Sequence, residues 1–243
     1  STDFLLSLPH GKVSDRHKLT ALHVDREGNS KTIVFSLFDG EDMRLLTREL
    51  DDFAMALVDM TFADLDGFDW AVEGIEAFAS RGVIKGTSST SYSPSNNITR
   101  ADYVTLIARC FELEADAENT FEDVENGMYY ERPISTAKSL GILNGISEDR
   151  FGTRMEITRQ DMMVILEKTL EMTGYCDRLE LSDLSYAGFK DSGEVSPYAR
   201  DSVDYMIKTG IIHGRNGNMI EPLAYTTRAE VATMLYNLLK ELL

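Results

Sequence analysis

The chain has 243 residues, enough for one large domain or two ordinary ones with a sizeable core. Its 41 acidic against 24 basic residues give a formal charge of −17, which argues against DNA, RNA or an anionic lipid surface as partner. No run approaches the ~20 apolar residues of a membrane span, so membrane insertion is not expected, and no signal peptide is read before Ser1.

The first sixty residues read as strands. Lys18–Val24 roughly alternates apolar and polar positions, and Asp25-Arg-Glu-Gly28-Asn29 then supplies turn residues. Lys31–Leu37 follows as a second strand and Asp39-Gly40 marks another turn. Met43–Leu46 is undecided. Phe53–Met60 has a composition that a short helix would tolerate, but a strand running into Thr61-Phe62 is favoured. Residues 1–60 thus look like the β-rich end of an upstream domain, and the chain is expected to be a fragment of a longer protein.

From residue 61 onward one module recurs three times, over 61–118, 119–180 and 181–243. Ile98-Thr-Arg100-Ala-Asp102 returns as Ile157-Thr-Arg159-Gln-Asp161 and Thr226-Thr-Arg228-Ala-Glu230. Upstream of each copy stand Phe62-Ala-Asp64, Phe121-Glu-Asp123 and Phe189-Lys-Asp191. The aspartate-to-arginine distance is 36, 36 and 37 residues, and the hydrophobic residue before each motif (Tyr92, Phe151, Ile220) lies 8 positions before its arginine. Two helices are predicted per unit. The first spans Trp70–Arg81, Tyr129–Leu140 and Tyr198–Thr209, each stopped by Gly82, Gly141 or Gly210. The second starts at the repeated motif and carries apolar stripes (Val104, Ile107, Phe111; Met163, Leu166, Leu170; Val231, Leu235, Leu238) that read as core, not as a cofactor box. Glu171–Gly188 is a longer, polar linker, expected as loop or a brief helical turn.

Cys110 and Cys176 fall at different places in their units, so spacing does not establish a disulfide and buried free thiols are the favoured reading. No Cys/His spacing suggests a metal. His10, His17, His23 and His213 are scattered, and no cofactor is implied.

Thr-Arg-x-Asp/Glu makes sense as a helix start. The threonine hydroxyl caps a free backbone N–H, and the acid three residues on suits the positive end of the dipole. The arginine opposes that dipole by roughly 0.3–1 kcal/mol, yet every unit carries one. Two readings stand side by side. Arg100, Arg159 and Arg228 pair with Asp64, Asp123 and Asp191, or their guanidinium forks receive a carboxylate or phosphate of a ligand.

The combined pattern (Phe-x-Asp, aromatic-Ala-x-x-x-Ile, Gly-Ile-x-x-Gly, aromatic-x-Pro, Thr-Arg-Ala-Glu) resembles the S-layer homology module, in three tandem copies. Leu50–Met60 also resembles the strand that leads into such modules. The resemblance implies a mainly α fold, with three helix–loop–helix repeats in a pseudo-threefold assembly after a short β-rich segment. It implies a non-enzymatic anchor at the cell surface, in the cell wall or S-layer. That anchor would hold an upstream domain of the same surface protein on a secondary cell-wall polysaccharide bearing a ketal-linked pyruvate. By position, Arg100, Arg159 and Arg228 would take the acidic group. Asp64, Asp123 and Asp191 would accept from sugar hydroxyls or orient the arginines. Trp70, Tyr129 and Tyr198 would be aromatic walls or core, and Gly86, Gly145 and Gly214 would let backbone amides approach the ligand.

The sequence departs from the family pattern at Tyr129 (tryptophan is usual), Thr153 (Pro94 and Pro222 elsewhere), Gln160 (alanine elsewhere), Ile220 (aromatic elsewhere) and the varied Lys85, Asn144 and His213. The grooves are therefore expected to differ in affinity. With net acidity repelling an anionic polymer at long range, binding would rest on close, desolvated contacts. An enzyme finds no nucleophile elbow or metal cluster to support it. A helical-repeat scaffold for protein–protein contacts in the envelope is the alternative reading. Residues 62–243 are expected to fold without residues 1–60.

Overall fold

The computed structural model describes residues 3–11, 13–48, 50, 52–215 and 217–243; Asp51, inside the Leu50–Met60 stretch, lies outside them. The chain forms two compact units, residues 1–95 with 229–243, and residues 96–228. The described residues contain 37% helix and 16% strand. The expectation of a mainly α chain is thereby corrected. The described part of the N-terminal quarter is built on strands with no α-helix, and each repeat spends as much chain on turns and bridging segments as on its short helices.

In the first unit, β1 (Phe4–Pro9), β4 (Ser36–Phe38) and β5 (Asp42–Thr47) form one antiparallel sheet in the order β1-β5-β4. A second contains β2 (Leu19–Val24), β3 (Ser30–Ile33) and β6 (Asp52–Leu57) in the order β3-β2-β6. The β2–β3 hairpin closes as its turn residues predict. Asp25 Oδ1 accepts from the N–H groups of Glu27 and Asn29, and Gly28 adopts a φ of 85°. The single strand expected over Lys31–Leu37 is split in two. Ser36 Oγ donates to Ile33 O at 2.8 Å and accepts from Ala21 N at 3.4 Å, pinning a turn that carries the chain from one sheet to the other. Phe53–Leu57 is strand, not helix. Leu19, Ala21, Ile33, Phe38, Met43 and Leu45 bury together in a core fed by both sheets.

Helix α1 (Asp69–Ser80) packs on this β segment through polar bonds. The buried Arg81 guanidinium donates to Leu19 O, Ser36 O, His17 O and Ala77 O at 2.6–3.1 Å. Glu76, also buried, meets His17 Nε2 at 2.8 Å and Lys18 Nζ at 3.4 Å. Ser80 Oγ donates to Val58 O. Helix α6 (Arg228–Leu242) crosses α1 at Gly74, where a Cβ would stand 2.8 Å from Ala232 O.

The second unit holds α2 (Arg100–Cys110), α3 (Glu131–Ser139), α4 (Arg159–Thr173) and α5 (Arg200–Lys208). The segments leading into the second helix of each repeat bond to one another in a closed cycle. Ile98 N donates to Thr226 O, Thr226 N to Ile157 O and Ile157 N to Ile98 O, at 3.0–3.1 Å. The first helices of repeats two and three start later than predicted. Tyr129 precedes α3, which opens with Pro133 in its first turn, and Tyr198 lies in a 3-10 turn, Pro197–Ala199, ahead of α5. The long linker contains the 3-10 turns Tyr175–Arg178 and Tyr186–Gly188.

Candidate ligand-binding seams between the repeats

Helices α2 and α4 each begin with a double threonine–aspartate contact. Thr99 Oγ1 accepts from Asp102 N at 3.1 Å and donates to Asp102 Oδ2 at 2.8 Å; Thr158 and Asp161 repeat this at 3.2 and 2.8 Å. The N–H groups of the next two residues go to the following repeat, from Arg100 to Met155 O and from Arg159 to Ala224 O. The start of α2 is thus seated on repeat two and that of α4 on repeat three. Two seams result, both inside residues 96–228.

In the first seam Arg100 is 8% exposed. Its Nε donates to Phe151 O at 3.2 Å and its Nη2 to Asn144 O at 3.4 Å, and its guanidinium carbon lies 4.9 Å from the Phe151 ring centre. Burial lowers its pKa, an effect countered by Asp161, Tyr198 and Asp123. Arginine stays cationic under such a shift. In the second seam Arg159, 4% exposed, donates from Nε to Ile220 O at 2.9 Å and from Nη2 to His213 O at 3.4 Å. Arg228 holds the same position on α6, its N–H bonded to Asn96 O. Backbone carbonyls, which neither sequence reading considered, are thus the hydrogen-bond acceptors of Arg100 and Arg159 described so far. The acid within ion-pair range of Arg100 is Asp161, at 3.8 Å, from the helix-capping position.

The repeated aspartates hold loops. Asp64 accepts from Tyr92 N and Ser93 N, and Asp191 from Ile220 N and Glu221 N. Asp123 accepts from Phe151 N, Gly152 N and Thr153 N. Burial would raise the Asp123 pKa, but these N–H donors outweigh it and the carboxyl sits below the usual range. Gly152 N is held by Asp123 while Phe151 O, the carbonyl of the same peptide unit, receives Arg100, so one peptide links the aspartate to the arginine.

Gly86, Gly145 and Gly214 pack against the edges of Phe62, Phe121 and Phe189. A Cβ at the first two would stand 2.6 Å from the ring carbon Cε1. Close packing on the repeated phenylalanine and on backbone carbonyls of the same loops (Ser88 and Ser91, Ser147 and Arg150, Met219) leaves these glycines no room for a Cβ.

Trp70, Tyr129 and Tyr198 are 56%, 54% and 62% exposed, so they are surface and not core. The Tyr129 hydroxyl donates to Asp102 Oδ1 at 2.6 Å and that of Tyr198 to Asp161 Oδ1 at 2.7 Å. Partial burial first and then the neighbouring carboxylate push both phenols up to about 12. The structure therefore brings Arg100, Asp161 and Tyr198 together, and separately Asp102 and Tyr129. Sequence reasoning gave Asp102 and Asp161 a capping role alone. It treated Gln160 as a departure, although its standing in place of alanine was the available signal.

Elsewhere in this unit Glu114–Ala117, Glu131, Arg132 and Ser135 line a depression of about 610 Å³. Its three carboxylates make it a poor place for an anion. Among the described residues no cluster of three or more His, Cys, Asp or Glu is arranged to hold a metal, and no helix is long and apolar enough to cross a membrane. Cys110 and Cys176 are free thiols.

The S-layer homology domain model matches the chain three times, over residues 61–104, 120–163 and 188–232. Exoglucanase XynX of Acetivibrio thermocellus is 33% identical over 184 residues, covering 75% of this chain and 16% of that protein. Amylopullulanase of Thermoanaerobacterium thermosulfurigenes is 28% identical over 240 residues, 97% of this chain and 13% of the relative. The surface-layer 125 kDa protein of Lysinibacillus sphaericus is 28% identical over 168 residues, 68% and 14% respectively. The chain thus spans less than a fifth of the length of these curated relatives.

Proposed function

We propose that this chain, which belongs to the S-layer homology domain family, is a non-covalent anchor that holds a surface protein on an anionic cell-wall polysaccharide. The module recurs here beside catalytic names in some relatives and a surface-layer name in another. A part shared by proteins of such different names suits attachment better than catalysis. Cell-wall location, and service to a larger protein, follow from the same reading.

The observation that carries the chemistry is the first seam. A nearly buried guanidinium commits two N–H groups to carbonyls and leaves Nη1 3.8 Å from Asp161, beyond hydrogen-bond length. An exposed tyrosine ring stands on the same aspartate. A cation with spare donors beside an aromatic face suits a sugar carrying a carboxylate, and a ketal-linked pyruvate is the ligand group we assign. Arginine is suited to this because its planar fork serves backbone and ligand at once, whereas lysine offers a single point donor.

The test is sedimentation of the chain with purified bacterial cell walls, before and after acid extraction of their secondary polymers. Binding is expected to intact walls and to vanish after extraction. Arg100→Lys, checked for folding by its melting curve, is expected to weaken wall binding by tenfold or more, about the worth of one charge-assisted bond. Equal binding to extracted walls would show that the polysaccharide is not the ligand.

A further inference from the structure

Repeat two departs from the other two at Gln160. Repeats one and three carry Ala101 and Ala229 at this position. Gln160 is 3% exposed, and its amide is occupied on both sides by the segment that introduces the first helix of repeat three. Its Nε2 donates to Ser196 Oγ at 3.0 Å and to the Tyr198 hydroxyl at 2.9 Å, and its Oε1 accepts from Ser196 N at 3.1 Å. The Tyr198 hydroxyl therefore accepts from Gln160 while donating to Asp161. Both hydrogen-bonding functions of the phenol are engaged, and 62% of the residue remains exposed. In repeat two Gly127 stands where Ser196 stands in repeat three, and its N–H turns to Glu131 at the start of α3. Tyr129 is held there by Asp102.

We propose that Gln160 is a positioning residue. It clamps Ser196 and Tyr198 so that the aromatic platform beside Arg100 and Asp161 is pre-ordered, making the Arg100 site tighter than a site lined by Tyr129. This rests on the anchoring function proposed above. A side chain that is already fixed loses less freedom when a ligand arrives, and ordering one such side chain costs enough to alter affinity roughly two- to tenfold. Gln160 is then a specialisation of repeat two that strengthens the Arg100 site, where the sequence pattern alone suggests decay.

The experiment is a double-mutant cycle on the full chain with Gln160→Ala, Tyr198→Phe and the pair. Calorimetry uses a glycoside whose terminal sugar bears a ketal-linked pyruvate. Tyr198→Phe keeps the ring and removes the hydroxyl that Gln160 grips. Each single change is expected to weaken the tighter site by roughly two- to tenfold, and the pair by little more than one of them. Amide hydrogen exchange at Ser196 is expected to quicken in Gln160→Ala. It should stay slow in Gln160→Glu, which keeps an acceptor for Ser196 N but loses the donor to Tyr198. Additive effects, or unchanged affinity despite faster Ser196 exchange, overturn the positioning role while leaving the anchor function intact. Failure of the unsubstituted chain to bind the glycoside overturns both.

Discussion

At the scale of single residues, the repeated charges organise backbone before they can meet any ligand. Asp123 fixes three successive N–H groups, one of which belongs to the peptide whose carbonyl receives Arg100. Its folded pKa lies below the ordinary value of 3.8. The carboxylate therefore contributes stability that is complete above that value and is lost as pH falls through the lower, folded one. Asp123→Asn should lower the melting temperature at neutral pH, because an amide cannot accept three N–H bonds with both ends. It should also flatten the acid limb of a melting-temperature profile taken below about pH 4. An unchanged acid limb would show that the aspartate does not hold this loop. The threonine caps were legible in the sequence because cap and capped residue are three positions apart. The aspartate clamps were not, since their partners are backbone N–H groups 28–30 positions away that no residue type announces.

At the scale of elements, the repeat pattern predicted the helices well where a glycine ends them. Gly82, Gly141 and Gly210 all take positive φ near 72–73°. Starts were less legible, because the exposed tyrosines mark the seam and not the first helical turn. β1 went unread altogether. It is an edge strand ending in Pro9, without clean alternation to announce it. Arg81 also escaped notice, since the equivalent residues in the other repeats are Leu140 and Thr209. Its bonds to three carbonyls of the β segment make residues 1–60 part of the packing of α1. Arg81→Leu should cost the full chain at least about 1.5–3 kcal/mol, the worth of one charge-assisted bond. The same change in a chain beginning at residue 62, which lacks those acceptors, should cost far less. Denaturant titration of the four proteins measures the difference. Equal costs in both backgrounds would mean that Arg81 acts within its own helix alone, through Ala77 O.

At the scale of the whole molecule, a charge of −17 and an anionic ligand act in opposite directions over different distances. Far from the surface the polymer is repelled, while inside a seam it meets a guanidinium with little water around it. Raising ionic strength from about 10 mM to about 150 mM shortens the screening length from roughly 30 Å to roughly 8 Å. The long-range repulsion should fade while the buried contact is barely screened. Capture by immobilised wall polymer is therefore expected to become faster with added salt, with little change in release rate, the reverse of binding driven by exposed ion pairs. Arg100→Ala, Arg159→Ala and Arg228→Ala should then differ in how strongly they raise the release rate, because Gln160 clamps the tyrosine that stands with Arg100 and the counterparts of Gln160 are Ala101 and Ala229. Surface plasmon resonance at several salt concentrations separates the two rates. A steep loss of affinity with salt would place recognition on solvent-exposed charges and would contradict a desolvated arginine–carboxylate contact. Removing pyruvate from the polymer completes the argument. It abolishes the close contact and lessens the repulsion, so release should quicken while capture loses its salt dependence.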